Sequence, residues 1–325
     1  MSKSFEDILN KIVTDDKLHR SGLYLLSKMD QASLKTFQNI WPAVSTKRRQ
    51  DIMQTLVEIS EDNFEVHFDP VFLLGLGDED AKVRASAING LWENEDPNLI
   101  SPLVHLLRAD ESVEVRAAAA IALGRFIYLG EIEKIDQRWA ILAEEALLET
   151  IHQAREDIEV RRRAIESIAY SSEAGVVQII ENAYYDPDEK MQVSAIFAMG
   201  RSADARWQSR VIAELDNGNS EIRFEAARAC GELEAAKAVP DLVKLIEYDP
   251  DLEVQEMAIW ALGRIGGSAA REILEACLES EVEPLALAAE EALDELNLFS
   301  DSFEFDLFDF EGVDSDELFK MDGDD

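Results

Sequence analysis

One phrase recurs along this chain: a short acidic turn, a β-branched residue, a basic or amide residue, then small residues at fixed offsets. Its clearest copy runs from Asp110 to Gly124, DESVEVRAAAAIALG. Aligned on the basic position, the copies fall at Arg84, Arg116, Arg161, Gln192, Arg223, Gln255 and Ala286, at intervals of 32, 45, 31, 31, 32 and 31 residues. A period near 31 announces a repeat array, in which each unit buries its apolar face only by stacking on its neighbours. The repeat therefore overrides the two-domain expectation that 325 residues would otherwise suggest.

Within each copy the offsets −1, +3, +4, +6 and +7 are small or apolar, as in Val115, Ala119, Ala120, Ala122 and Leu123. That spacing marks one face of a helix. A second amphipathic stretch precedes each copy, for example residues 99–107 and 239–246, so each unit reads as two antiparallel helices. Asp186-Pro187-Asp188, Asn217-Gly218-Asn219 and Asp249-Pro250-Asp251 supply turns whose Asx side chains can cap the next helix. Glycines at offset +8 (Gly124, Gly200, Gly231, Gly263) either end the second helix or permit close helix contact.

The acidic turn, the Val-Arg pair and the Ala-x-Ala-Leu-Gly ending resemble HEAT repeats, especially the short kind found in phycobilisome-lyase-type proteins. The resemblance covers residues 70 to 296 and implies an all-α fold: a right-handed α-solenoid of about six to seven helix pairs. It also implies a ladder in which each turn Asp meets the helix Arg of an adjacent repeat, and Gln192, Gln255 and Ala286 interrupt it. The fold hosts many functions and names none of them. Acidic Glu290, Glu291 and Asp294 in the last copy read as the outer face of a capping repeat. The 45-residue interval holds 13 to 14 extra residues, assigned to residues 126–136 as an insertion projecting from one face or a longer outside loop.

The flanks differ from the array. Residues 1–67 read as a helical N-terminal cap without the repeat signature, and Lys47, Arg48 and Arg49 read as an ordinary solvated face, the alternative being a basic cluster that meets an acidic partner. Residues 68–296 form the solenoid. From 297 to 325 runs an acidic-aromatic tail in which Phe303, Phe305, Leu307, Phe308 and Phe310 alternate with Asp and Glu, a pattern suited to a flexible or docked extended peptide.

The formal charge of −37 opposes binding to nucleic acid or to an anionic membrane, and favours a protein or peptide partner with a basic surface. The start lacks a secretion signal, no apolar run approaches the ~20 residues that span a bilayer, and Cys230 and Cys277 sit in apolar helical patterns. Together these point to a soluble cytoplasmic protein. His19, His67, His105 and His152 lie in separate contexts and no metal, phosphate or nucleophile motif is present, so neither a cofactor nor catalysis is expected.

If the small offsets are buried, offsets +2, +5 and +9 form an exposed lane on the concave side, roughly 50 Å long at ordinary helix spacing. Its binding candidates are Arg125, Arg163, Tyr170, Phe197, Arg201, Arg228, Trp260 and Arg264. Arg beside exposed rings has the composition of a binding hot spot. This favours a non-enzymatic protein-binding scaffold or adaptor, and the acidic tail complements the Arg lane as a candidate for self-association. The alternative is a bilin lyase-like enzyme or chaperone that handles a tetrapyrrole and its acceptor protein.

Overall fold

In the computed structural model of the chain, residues 5–14 and 17–310 are described, and the side chains of 5–8, 10 and 299–310 are not. The described residues form helices and no strand: α1 (Phe5–Thr14), α2 (Arg20–Leu23), α3 (Gln31–Ile40), α4 (Thr46–Asp62), α5 (Asp69–Gly75), α6 (Ala81–Gly90), α7 (Ile100–Ala109), α8 (Val113–Glu131) and α9 (Gln137–His152). There follow α10 (Ile158–Ile168), α11 (Ala174–Tyr184), α12 (Glu189–Arg201), α13 (Gln208–Ala213), α14 (Ser220–Glu232), α15 (Val239–Tyr248), α16 (Leu252–Ile265), α17 (Gly267–Cys277) and α18 (Glu283–Phe310). The chain divides into two compact units, residues 1–198 and 199–325, and the division falls within α12.

Each unit is built as a helical solenoid. In the first, the second helices of successive pairs stack in the order α4, α6, α8, α10, and in the second α14, α16, α18 do the same. The stacking faces are those of the sequence pattern: Val115, Ala119, Ala120 and Leu123 are buried in one unit, Val254, Ala258, Ile259, Ala261 and Leu262 in the other. Small residues at these positions let helix axes approach closely.

The turns show why Asx residues recur two apart. Asp78, Asp186, Asn217 and Asp249 each accept the backbone N–H of the residue two positions on, which is Asp80, Asp188, Asn219 or Asp251. That second residue then caps the following helix, as Asp80 does by accepting from Lys82 and Val83. The first Asx reverses the chain and the second satisfies the exposed amides of the helix start.

The arginine ladder is present, and it begins earlier than the repeats suggest. Arg84 forks onto Asp110 at 2.7 and 2.8 Å while its other nitrogen donates to the Asp78 carbonyl. Arg223 repeats this arrangement with Asp249 and Asn217, and Arg116 does so with Glu156 and Asp110. Gln192 and Gln255 keep only the second half, donating to the carbonyls of Asp186 and Asp249. Arg161 leaves its buried Nε without an acceptor. Arg49 corrects the reading of the N-terminal region. It is 3% exposed rather than solvated, donates to the Val44 carbonyl and pairs with Asp78 and Glu79, so α4 carries the first rung. It escaped the alignment because 35 residues separate it from Arg84 and its helix lacks the Ala-Leu-Gly ending.

Two further expectations change and one is narrowed. The extra residues near 126–136 form no projecting loop: they lengthen α8 to 19 residues and α9 to 16, with Phe126, Ile127 and Leu129 buried. Of the two readings of the +8 glycines, close helix contact holds at all four, and Gly200 and Gly231 also fall next to the last residue of α12 and α14. A β-carbon added at Gly124 would lie 2.8 Å from Ser167, and one at Gly263 would lie 2.9 Å from Ala292, so these positions serve close packing. Among the described residues, the non-glycine residues of positive φ after the helices are Glu133, Ala203 and Glu234, with φ of 59°, 50° and 48°. Finally, the backbone stays helical through Phe310 instead of becoming extended at 301, because neither Pro nor Gly interrupts the chain between Pro284 and Gly312. The side chains of Phe303, Phe305, Leu307, Phe308 and Phe310 lie outside the described residues.

Cys230 is buried in α14, where burial pushes its thiol up to about 12; Cys277 is half-buried in α17 and raised for the same reason.

Candidate functional site

The expected lane lies on the second helices, and most of its arginines are occupied within the molecule. In the first unit Arg125 reaches from α8 to the C-terminal end of α6 and donates to the carbonyls of Leu91 and Asn94. Its Nε is buried without an acceptor, and burial pulls the guanidinium below its ordinary pKa against the attraction of Glu95, Asp69 and Glu93. Arg163 pairs with Glu159 and Glu166 at 2.8 and 2.9 Å. Burial opposes its charge, but these two carboxylates hold its pKa above the ordinary value. Glu166 also accepts from Ser194, whose hydroxyl in turn accepts from Arg162 at 2.9 Å. This network closes the lane where α10 meets Ser194. Phe197 is half-buried.

What remains open in the first unit is a line of apolar side chains. Phe64 and Trp92 meet edge to face at 6.3 Å, Ile121 stands on α8, and Tyr128 meets Tyr170 at 5.7 Å. Phe64, Trp92, Ile121 and Tyr128 are 67%, 44%, 52% and 46% exposed. Close to Tyr170, Glu144 accepts from the Ser171 hydroxyl at 2.7 Å, and burial raises its pKa with help from Glu173, Glu131 and Glu145.

In the second unit, Arg201 sits 3.3 Å from Glu232, and Arg228 joins Glu225 and Glu232 at 2.6 Å each. Arg264 bonds Glu295 of α18 at 2.9 Å. Trp260 lies against the preceding repeat, since a β-carbon added at Gly231 of α14 would come 2.8 Å from its Cζ3. Its other side lines a cleft of about 610 Å³ between α14, α16 and α18. Phe224, Met257 and Trp260 form the apolar floor with Ala288 and Ala292, and Glu253, Glu256, Glu291 and Glu295 form the rim.

Thus Trp260 lines the cleft and Arg264 reaches its rim through Glu295, whereas Arg163 and Arg228 are held in ion pairs along their own helices and Arg201 pairs across to Glu232 of α14. Glu291 is corrected from an outer-face cap residue to a lining residue. The signal was present in sequence: Ala288, Glu291 and Glu295 occupy offsets +2, +5 and +9 from Ala286, so the lane continues into the last repeat. Trp92, at offset +8, was missed because it lies in the turn after α6, off the helical spacing that sets the stripe, and Tyr128, at offset +12, because it lies beyond the stripe's last offset.

The four histidines are exposed, and among the described residues no group of three His, Cys, Asp or Glu side chains is arranged to hold a metal ion. Among the same residues no helix is long and apolar enough to cross a membrane.

Comparison with known proteins agrees with this architecture. Residues 70–140 and 209–294 match the family model for HEAT repeats. Deoxyhypusine hydroxylase of Candida albicans is 29% identical over 114 residues, covering 33% of this chain and 36% of that one. Epoxyqueuosine reductase of Bacillus cereus is 34% identical over 80 residues, covering 25% of this chain and 20% of that one. The chain therefore spans about a third and a fifth of the length of these curated relatives. Among solved structures, the complex of CpcE and CpcF of phycocyanin lyase from Nostoc sp. PCC7120 superposes with a TM-score of 0.50 at 18% identity, covering 69% of this chain and 86% of that chain. At that identity the likeness concerns the fold. Paired helices, Asx turns, arginine rungs and the two matched segments agree: residues 70–140 and 209–294 of this chain carry HEAT repeats.

Proposed function

We propose that this chain is a non-enzymatic protein-binding scaffold or adaptor that works through the exposed faces of its second helices. The supporting observation is the line Phe64, Trp92, Ile121, Tyr128 and Tyr170. Phe64, Trp92, Ile121 and Tyr128 stand exposed and Tyr170 half-exposed, Ile121 and Tyr128 on α8 and the other three in the turns that follow α4, α6 and α10, in a chain that carries −37 overall. Rings bury much area at small entropic cost, and a contiguous exposed apolar strip marks an interaction surface. The enzymatic relatives match over too small a part of their length to lend this chain their chemistry.

The test is affinity capture from the source lysate with the full chain and with a Trp92→Ala/Tyr128→Ala variant. A partner identified in this way is then purified and titrated against both forms. A protein retained by the native chain and weakened at least tenfold by the double substitution is the expected result. Capture unaffected by the substitutions removes this face from the proposal. Absence of any protein partner, together with an absorbance change on mixing with a bilin, would replace the scaffold by the lyase-like reading.

A further inference from the structure

We infer that the cleft of the second unit is a docking site for a basic segment of a partner protein, one that presents Lys or Arg beside an apolar side chain. The inference rests on reading the second helices as the binding face, and it specifies which partner chemistry that face accepts.

Three observations carry it. First, the cleft has volume as well as charge: about 610 Å³ above a floor of Phe224, Met257 and Trp260. An apolar side chain and the methylene stem of a Lys or Arg fit such a floor, because the stem buries along apolar surface while its charged head stays at the rim. Second, the rim is unbalanced. Arg264 accounts for Glu295 at 2.9 Å, but Glu253, Glu256 and Glu291 carry no ion pair among the described residues. A cation entering the cleft meets carboxylates already in place over a ring face, and both attract it. Third, the arginines that would have drawn an acidic peptide are engaged nearby, Arg201 with Glu232 and Arg228 with Glu225 and Glu232. The cleft thus has the opposite sign to the Arg lane expected from sequence, and an acidic tail segment is the wrong occupant for it.

Long-range attraction alone does not define this site, since the whole chain is acidic and steers any polycation. The experiment separates the two effects with the purified full chain and two fluorescein-labelled peptides, one alternating Lys with Leu and the other alternating Lys with Gly, read by anisotropy at 150 mM salt. The variants are Glu256→Gln/Glu291→Gln, Trp260→Ala, and Glu111→Gln/Glu114→Gln. The last removes the same two charges from exposed positions of the first unit.

Tighter binding of the Lys-Leu peptide is expected, with at least tenfold weakening in the cleft pair and in Trp260→Ala and less than twofold change in the distant pair. Equal losses in the cleft pair and the distant pair would overturn the inference, because binding would then follow net charge. Failure of the native chain to distinguish the two peptides would overturn it as well. The cleft pair substitutes one exposed and one half-exposed carboxylate, so it keeps the test intact even where Trp260→Ala perturbs packing on Gly231. Loss of the cleft result with Trp92 and Tyr128 still needed for capture would sink this inference and leave the scaffold standing.

Discussion

A rung of the ladder is two interactions on one side chain, and the glutamines separate them. Gln255 donates to the Asp249 carbonyl at 2.8 Å, the bond that Arg223 makes to Asn217 at 2.9 Å, yet only Arg223 also neutralises an aspartate of the next turn. Arg223→Gln should therefore cost about 1–2 kcal/mol, whereas Arg223→Ala, which also strips the turn carbonyl and leaves Asp249 buried without its cation, should cost about 3 kcal/mol in urea unfolding. The same rungs set the acid limit. Burial raises Asp110 and Asp249, but their arginine partners and turn amides outweigh it, so both sit below the ordinary 3.8. Their contribution is complete above 3.8 and disappears as pH falls through their lower folded values. In a series of urea midpoints below pH 4, Asp110→Asn and Asp249→Asn should flatten that decline. At the strained turn residues the expectation is a gain: Ala203→Gly and Glu234→Gly, at φ of 50° and 48°, should each add roughly 0.5–1 kcal/mol. The offset pattern made the Arg positions legible, and their partners followed once the turns were recognised. The left-handed residues were not legible, because neither Ala nor Glu advertises positive φ.

Helix pairs were read from apolar spacing with little error, but the way an insertion is absorbed depends on tertiary packing. The long interval contains Phe126, Leu129 and Gly130, which continue the buried face of α8, and Gly130 lets α9 approach so closely that an added β-carbon would lie 2.3 Å from that of Ala140. Gly130→Leu should force α8 and α9 apart and cost about 2–3 kcal/mol, measured as a fall in the thermal midpoint of the full chain. Gly175, where an added β-carbon would meet no atom within 4 Å, supplies the matched control: Gly175→Ala should leave the midpoint unchanged or slightly higher. The candidate cleft was half legible for the same reason. Trp260 and Met257 fell out of the stripe, whereas Phe224 and Glu256, each one residue further along its helix from the aligned position, enter only because α14 and α16 are packed side by side. A one-dimensional pattern also could not show that Arg163, Arg201 and Arg228 spend their charge on neighbours.

At the level of the whole molecule, −37 acts against the compact state at every distance shorter than the screening length. Moderate sodium chloride should raise the thermal midpoint by several degrees, because it weakens repulsion between exposed carboxylates more than it weakens part-buried pairs such as Arg84–Asp110 and Arg223–Asp249. A midpoint that falls with salt would show the ladder, and not the bulk charge, to be the dominant electrostatic term. The period announced an array, but a uniform period carries no sign of a division inside α12.

The burial of Cys230 gives the second unit its own clock. A thiol raised to about 12 and shut inside α14 reacts with a disulfide reagent only when that helix opens, while half-buried Cys277 reacts through smaller excursions of α17. Two labelling rates on one unmodified chain therefore time two depths of opening, and a partner seated between α14, α16 and α18 should slow the deeper one first.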